Sequence, residues 1–284
     1  MLQYLLNITA IWLISLLLFD LFLRRESYHG YNRFYLVFTF LLGLLLPLWQ
    51  FNSSKTIVTL DEVMSGNPWL KWLAIIYLAG AAVAFSLLII DIIKLVAFYR
   101  SGNRSKQDGW TIVETGREHP PFSYLDVLFI SERAQYNSDE WEMILTHEQR
   151  HSVLLHLMDM LMMQLARIIF WFHPLVYIYY ARLLLVQEYQ ADQASSKQLA
   201  AYGKFLLEQA VLKAAPAFSH SFNRSPIKNR ILMLTRNAKQ RTGCQPIPSG
   251  EIACSPRPFD LYLLSSLPFF SILLPAVLLS SCSY

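Results

Sequence analysis

The five residues His147-Glu148-Gln149-Arg150-His151 bring two imidazoles and a carboxylate together at a spacing that a helix turns into a site. Four residues apart, His147 and His151 lie one turn above each other on one face, where both rings can reach one metal ion. Glu148 sits beside them, placed to act as general base on an attacking water. With 7 His in the chain, the pattern arises by chance on the order of once in a hundred such sequences, so its surroundings decide what it means. A metal that catalyses hydrolysis wants three protein ligands and an open position. Downstream, Glu188 and Asp192 are again four apart: Glu188 can complete the ligand set, and Asp192 can accept the other ring N–H of a ligand histidine. The 36 residues between His151 and Glu188 let one helix finish and a second return antiparallel. Zn2+ is the expected ion and peptide-bond hydrolysis the expected reaction.

Other candidates are weaker. His156 follows His151 by five residues, turned away from the 147/151 face of a continuous helix, and reads as a buried, hydrogen-bonded histidine. His173, before Pro174, reads as a helix-end residue. His220 and Arg230 are candidates to stabilise a developing oxyanion. Ser225-Pro226-Ile227-Lys228 matches Ser-x-x-Lys, but its partner motifs are missing and serine acylation is not expected.

The elements that must position these residues are mostly helical. Asn137 with Glu140 has the spacing of a capping box, opening the helix that carries His147 and His151. Val153 to Phe172 is apolar enough to suggest a membrane span, yet His156, Asp159, Gln164 and Arg167 draw a polar stripe along it, and each ionised group at mid-bilayer costs roughly 2.5–3.5 kcal/mol. It is expected to be a helix buried in protein near the membrane face. Pro174 starts a helix that runs through Glu188 to Asp192. Helices at about 200–215 and 226–240 follow, and two short strands are expected at 110–113 and 124–130.

Composition places this assembly at a membrane. The chain is 54% hydrophobic and 15% charged, with a mean hydropathy of +0.33, more apolar than a soluble domain of this size. Spans are expected at about 2–23, 34–51 and 69–98, and a fourth at 261–280. Arg24, Arg25 and Arg33 lie between the first two spans and Arg100, Arg104 and Lys106 follow the third, whereas only Lys55 lies between the second and third. The positive-inside rule then sets the N-terminus outside and residues 101–258 in the cytoplasm. The net charge of +4 follows from such flanks, and no nucleic-acid motif is present. Cys244, Cys254 and Cys282 have neither the spacing nor the even count of a disulfide framework or a cysteine zinc site.

Taken together, several short stretches resemble one family. These are Arg24-Arg25-Glu26-Ser27-Tyr28-His29 with Asn32-Arg33, Pro121-Phe122-Ser123-Tyr124, the 147–151 motif with His156 and Asp159, Trp171-Phe172-His173-Pro174, Glu188-Tyr189 with Ala191-Asp192, and Ile227-Lys228-Asn229-Arg230-Ile231. The set is similar to the BlaR/MecR-type antirepressor membrane metallopeptidases, in particular short members without an extracellular sensor domain. The resemblance implies a mainly α, polytopic membrane protein with about four spans and a gluzincin-like helical metallopeptidase domain carrying a few short strands. It implies His147, His151 and Glu188 as zinc ligands, Glu148 as base, and a cytoplasm-facing domain. The expected partners are the lipid bilayer and a protein substrate, a transcriptional repressor or the chain itself, with a homodimer allowed. His173 stands where asparagine is expected, and Gln187 where many relatives have histidine or asparagine. A sensing role for β-lactams does not carry over. Two alternatives stay open: a non-catalytic membrane signalling or scaffold protein that keeps the fold, and an intramembrane-cleaving metalloprotease. The latter is disfavoured by Glu140, Glu142 and Arg150 around the motif.

Overall fold

The computed structural model describes residues 2–51, 68–107, 109–195, 199–212, 227–242, 245–246 and 252–253. The expected fourth span at 261–280 and His220 lie outside them. Three helices among the described residues are long and apolar enough to cross a membrane. Helix α1 (Leu2–Leu18) continues through a π-helical turn at Phe19–Leu23, α2 covers His29–Phe51, and α3 covers Pro68–Ser101. The second candidate span, His29–Leu48, begins five residues before the expected start, because the polar head of α2 is held inside the protein. His29 packs on Tyr189 with ring centroids 5.2 Å apart, and the Asn32 side chain donates to the Leu23 carbonyl at 2.9 Å.

A small sheet follows α3: β1 (Asn103–Gln107), β2 (Trp110–Glu114), β3 (Phe122–Tyr124) and β4 (Val127–Ile130). Its order is β1-β2-β4-β3, with β2 and β4 parallel and the other two pairs antiparallel. Two strands were expected. The polar β1 gives no alternation because it is exposed throughout, and the stretch 124–130 is the end of a hairpin, turned at Leu125 with φ 55°. One face of the sheet, Trp110, Ile112, Leu128 and Ile130, closes on Trp141 of the next helix.

That helix, α4 (Ser138–Val153), starts on the expected capping box, with Asn137 Oδ1 accepting from the Glu140 N–H at 2.8 Å and Glu140 Oε2 accepting from the Asn137 N–H at 3.0 Å. It stops at Leu154, and Leu155 takes a left-handed conformation, φ 52°. The chain then restarts as α5 (His156–Ile169), bent 62° from α4. Pro174 opens α6 (Pro174–Ser195), followed by α7 (Leu199–Leu212) and α8 (Ile227–Thr242).

Helix α6 is the axle of the first compact unit, Met1–Arg236. Val176, Tyr179, Leu183 and Val186 pack against Ile8, Trp12, Leu16 and Phe19 of the first helix, Leu36 and Phe40 of α2, and Met163 and Ala166 of α5. The apolar positions recur every three to four residues on each helix, the period of a buried helical face. Polar ties fix the register: Arg182 to Asp20 at 2.8 Å, and Thr39 to the Tyr179 hydroxyl at 3.2 Å. The second unit spans Asn237–Tyr284; its described part holds the end of α8 and an antiparallel pair, β5 (Gln245–Pro246) with β6 (Ile252–Ala253).

Candidate metal centre

His147 and His151 occupy the last two turns of α4, and α6 packs alongside to bring Glu188 to them. The Nε2 atoms of the two histidines are 3.2 Å apart. Glu188 Oε2 lies 3.8 Å from Nε2 of His147, and Oε1 lies 3.7 Å from Nε2 of His151. Ligands on a tetrahedral ion with bonds of about 2.0–2.1 Å stand about 3.3 Å apart, so the two Nε2 atoms stand at the spacing of two such ligands and the Glu188 carboxylate lies close enough to supply a third.

The hydrogen bonds behind each ring fix which nitrogens carry protons. The Tyr202 hydroxyl donates to Asp192 Oδ1 at 2.7 Å, so at 3.0 Å from His147 Nδ1 it accepts, and His147 is protonated there. Leu155 and the helix break return His156 toward the site, where its Nε2 donates to Gln190 Oε1 at 3.0 Å. His156 is 3% exposed and is neutral, since burying its cation without a counter-ion is costly. Its Nδ1 therefore accepts from Nδ1 of His151 at 2.7 Å. The Nε2 atoms of His147 and His151 thus face each other and the Glu188 carboxylate. Two imidazole nitrogens and a carboxylate gathered at this spacing suit one divalent cation, and the chemistry of the set fits a metal.

Glu188 is held from outside by Arg230, whose Nη1 lies 2.8 Å from Oε2. The same guanidinium grips Asp192, with Nε 2.8 Å from Oδ2 and Nη2 on Oδ1. Burial lowers the Arg230 pKa, but the Glu188 and Asp192 carboxylates outweigh it and raise it overall. Asp192, 1% exposed, has its pKa raised by burial against the pull of Arg230. Burial and then the charge of Asp192 push the Tyr202 phenol well above its ordinary value.

Glu148 is buried on the adjoining face. Its Oε2 accepts from the Ser123 hydroxyl of β3 at 2.6 Å. Burial pushes its carboxyl above the ordinary range, opposed by His151 and by Ser123.

The four site residues of α4 and α6 expected as ligands and base are thus neighbours, and Asp192 reaches His147 at 3.5 Å, with the Tyr202 hydroxyl bonded to both. Arg230, one of two candidates for an oxyanion donor, is paired with the Glu188 and Asp192 carboxylates. Tyr202, Gln190, Ser123 and the contact of His156 with His151 were not expected. Leu154-Leu155 contains neither Gly nor Pro, so nothing local announces the break that reorients His156. The Gln187 amide, buried between helices, donates to Asp159 Oδ2 at 2.9 Å, and Arg33 Nε donates to the same oxygen at 2.6 Å.

No curated protein matches the chain. The sequence model described as BlaR1 peptidase M56 matches residues 126–234, from the last strand of the sheet to α8, and that stretch contains every side chain of the centre except Ser123. Over residues 126–234 the chain is accordingly similar to the BlaR1 peptidase M56 family.

Proposed function

We propose that the chain is a zinc endopeptidase hydrolysing a protein substrate at the cytoplasmic face of the bacterial inner membrane, in regulated proteolysis or signal transduction. The observation that carries the reading is the convergence of the His147, His151 and Glu188 side chains beside the buried Glu148 carboxylate. Two imidazoles and one carboxylate suit zinc, which when bound would polarise the scissile carbonyl and acidify the attacking water. Glu148 takes the proton from that water and returns it to the leaving amine. Burial, which raises its pKa, favours the half of the exchange in which Glu148 holds the proton. Ser123 holds Oε2 of Glu148, fixing the carboxylate rotamer.

The sheet supplies a place for the peptide. In the order β1-β2-β4-β3, β3 is an edge strand, and Ser123 within it touches the catalytic carboxylate. A substrate in extended conformation adding to this edge would run past Glu148. The substrate is a cytoplasmic or membrane-proximal protein, a transcriptional repressor or another copy of the chain.

Purified full-length protein in detergent, incubated with casein and followed for cleavage of casein and of itself, tests the reading. Cleavage is expected to stop on treatment with a strong chelator and to return with added zinc. Cleavage indifferent to chelation, or none with zinc supplied, would reject it.

A further inference from the structure

Helix α5 presents one unpartnered apolar face among the described residues. Met158, Leu161, Leu165, Ile169 and Phe172 recur every three to four residues, and each is between 39% and 59% exposed. The opposite face turns inward, with His156, Met163 and Ala166 buried.

Contacts with the spanning helices give the depth of this face. Where α5 begins, Asp159 is bonded to Arg33 at the head of α2, and on the returning α6, Arg182 is bonded to Asp20. Both ties lie beside the turn that joins the first two spans. The α5–α6 turn lies far from that level. His173 Nε2 is 3.0 Å from the Thr9 hydroxyl, and the Trp12 ring packs edge-on against Phe170 and His173 at 5.6 and 5.2 Å. Thr9 precedes Leu23 by 14 residues, about 21 Å of helix at 1.5 Å per residue, in a hydrocarbon layer about 30 Å thick.

Irregular backbone at such depth survives only when its polar groups are satisfied within the protein, and four carbonyls of this turn are. The Ile169 carbonyl accepts from the Tyr77 hydroxyl of α3 at 3.0 Å. That of Phe170 accepts from the His173 N–H at 2.9 Å, and that of His173 from the Val176 N–H at 3.3 Å. The Trp171 carbonyl accepts from the Tyr177 hydroxyl at 2.8 Å, while the Trp171 indole donates to the Tyr77 carbonyl at 3.2 Å. Arg167, the one cation of α5, lies over the rings of Tyr177 and Tyr180 at 5.1 and 4.8 Å and donates to Gln164 at 3.0 Å.

We propose that α5, the turn and α6 form a re-entrant hairpin that enters the bilayer beside the α1–α2 turn, passes the midplane and returns, with Met158, Leu161, Leu165, Ile169 and Phe172 against lipid acyl chains. The proposal rests on α1, α2 and α3 crossing a bilayer. Its consequence is that the metal centre opens at the membrane interface: Glu188 follows Arg182 by only six residues, about 9 Å along α6. The expectation of a helix wholly covered by protein is replaced by one that is covered on its polar side and lipid-facing on the other.

The test uses the full chain in proteoliposomes permeable to small reagents, with Cys244, Cys254 and Cys282 changed to serine. Single substitutions Leu161→Cys, Leu165→Cys and Ile169→Cys are compared with Ala134→Cys, on an exposed turn, and Leu13→Cys, on the exposed face of α1. The proposal expects Ala134→Cys to react with a charged maleimide and the three α5 positions to stay unlabelled until detergent is added, as at Leu13→Cys. Nitroxides attached at the α5 positions should collide with oxygen and not with a nickel chelate. Labelling of the α5 positions with Leu13→Cys protected would overturn the proposal, and so would nitroxides shielded from both collision partners, which would put protein on that face. Labelling at Leu13→Cys itself would instead remove the membrane placement of α1 on which the proposal stands.

Discussion

Glu148→Gln is expected to lower peptide hydrolysis by roughly 10²–10⁴-fold, the usual contribution of a positioned acid–base group, and to leave metal binding intact. The amide keeps the size of the side chain and can still bond Ser123, but it cannot take a proton from water. The loss should fall on kcat rather than KM, because Glu148 would act on the reacting atoms and not on the peptide backbone. Cells carrying wild type and Glu148→Gln, compared by proteomics, would reveal the substrate as the protein that accumulates uncut. Undiminished cleavage by Glu148→Gln would remove this residue from the chemistry.

The second large effect belongs to Arg230. Its guanidinium is the cation between Glu188 and Asp192, and its removal leaves the half-buried Glu188 and buried Asp192 carboxylates facing each other. Breaking a buried charge network by deleting one partner typically costs about 3–5 kcal/mol. Arg230→Met should therefore lower the thermal midpoint of the detergent-solubilised protein sharply in the presence of a chelator. The loss should shrink when zinc is supplied, since a cation among the ligands offsets the charge of Glu188. Arg230→Lys should fall between the two, because a single ammonium cannot span both carboxylates as the planar fork does. A chelated Arg230→Met protein that melts with wild type would show that the carboxylates do not depend on Arg230.

What the sequence made legible was local. The Asn137/Glu140 capping box announced α4, Pro174 announced α6, and the four-residue spacings within 147–151 and 188–192 placed each set of side chains on one helical face. Apolar length marked three candidate spans. What it hid was set by long-range packing. Tyr202 and Arg230 are 55 and 83 residues from His147, and no periodicity links them to it. The left-handed Leu155 is forced by the docking of α5 on α6, not by its own preference, since a positive φ is costly for leucine. The Leu125 turn hid a hairpin inside what reads as one strand. The polar residues of 156–167 were read correctly as a stripe, but a stripe says only that one side is protected and leaves the environment of the other side open.

His147, His151 and Glu188 are proposed to share one metal ion, with His156 fixing His151 from behind. Zinc binding by the purified full chain, titrated against a chelating competitor, separates this arrangement from its alternatives. Wild type and Glu148→Gln should bind with equal affinity, His151→Ala and Glu188→Gln should lose tight binding, and His156→Ala should bind about 10–100-fold more weakly, as loss of a partner behind a metal ligand usually does. Equal affinity across all five proteins would contradict the account.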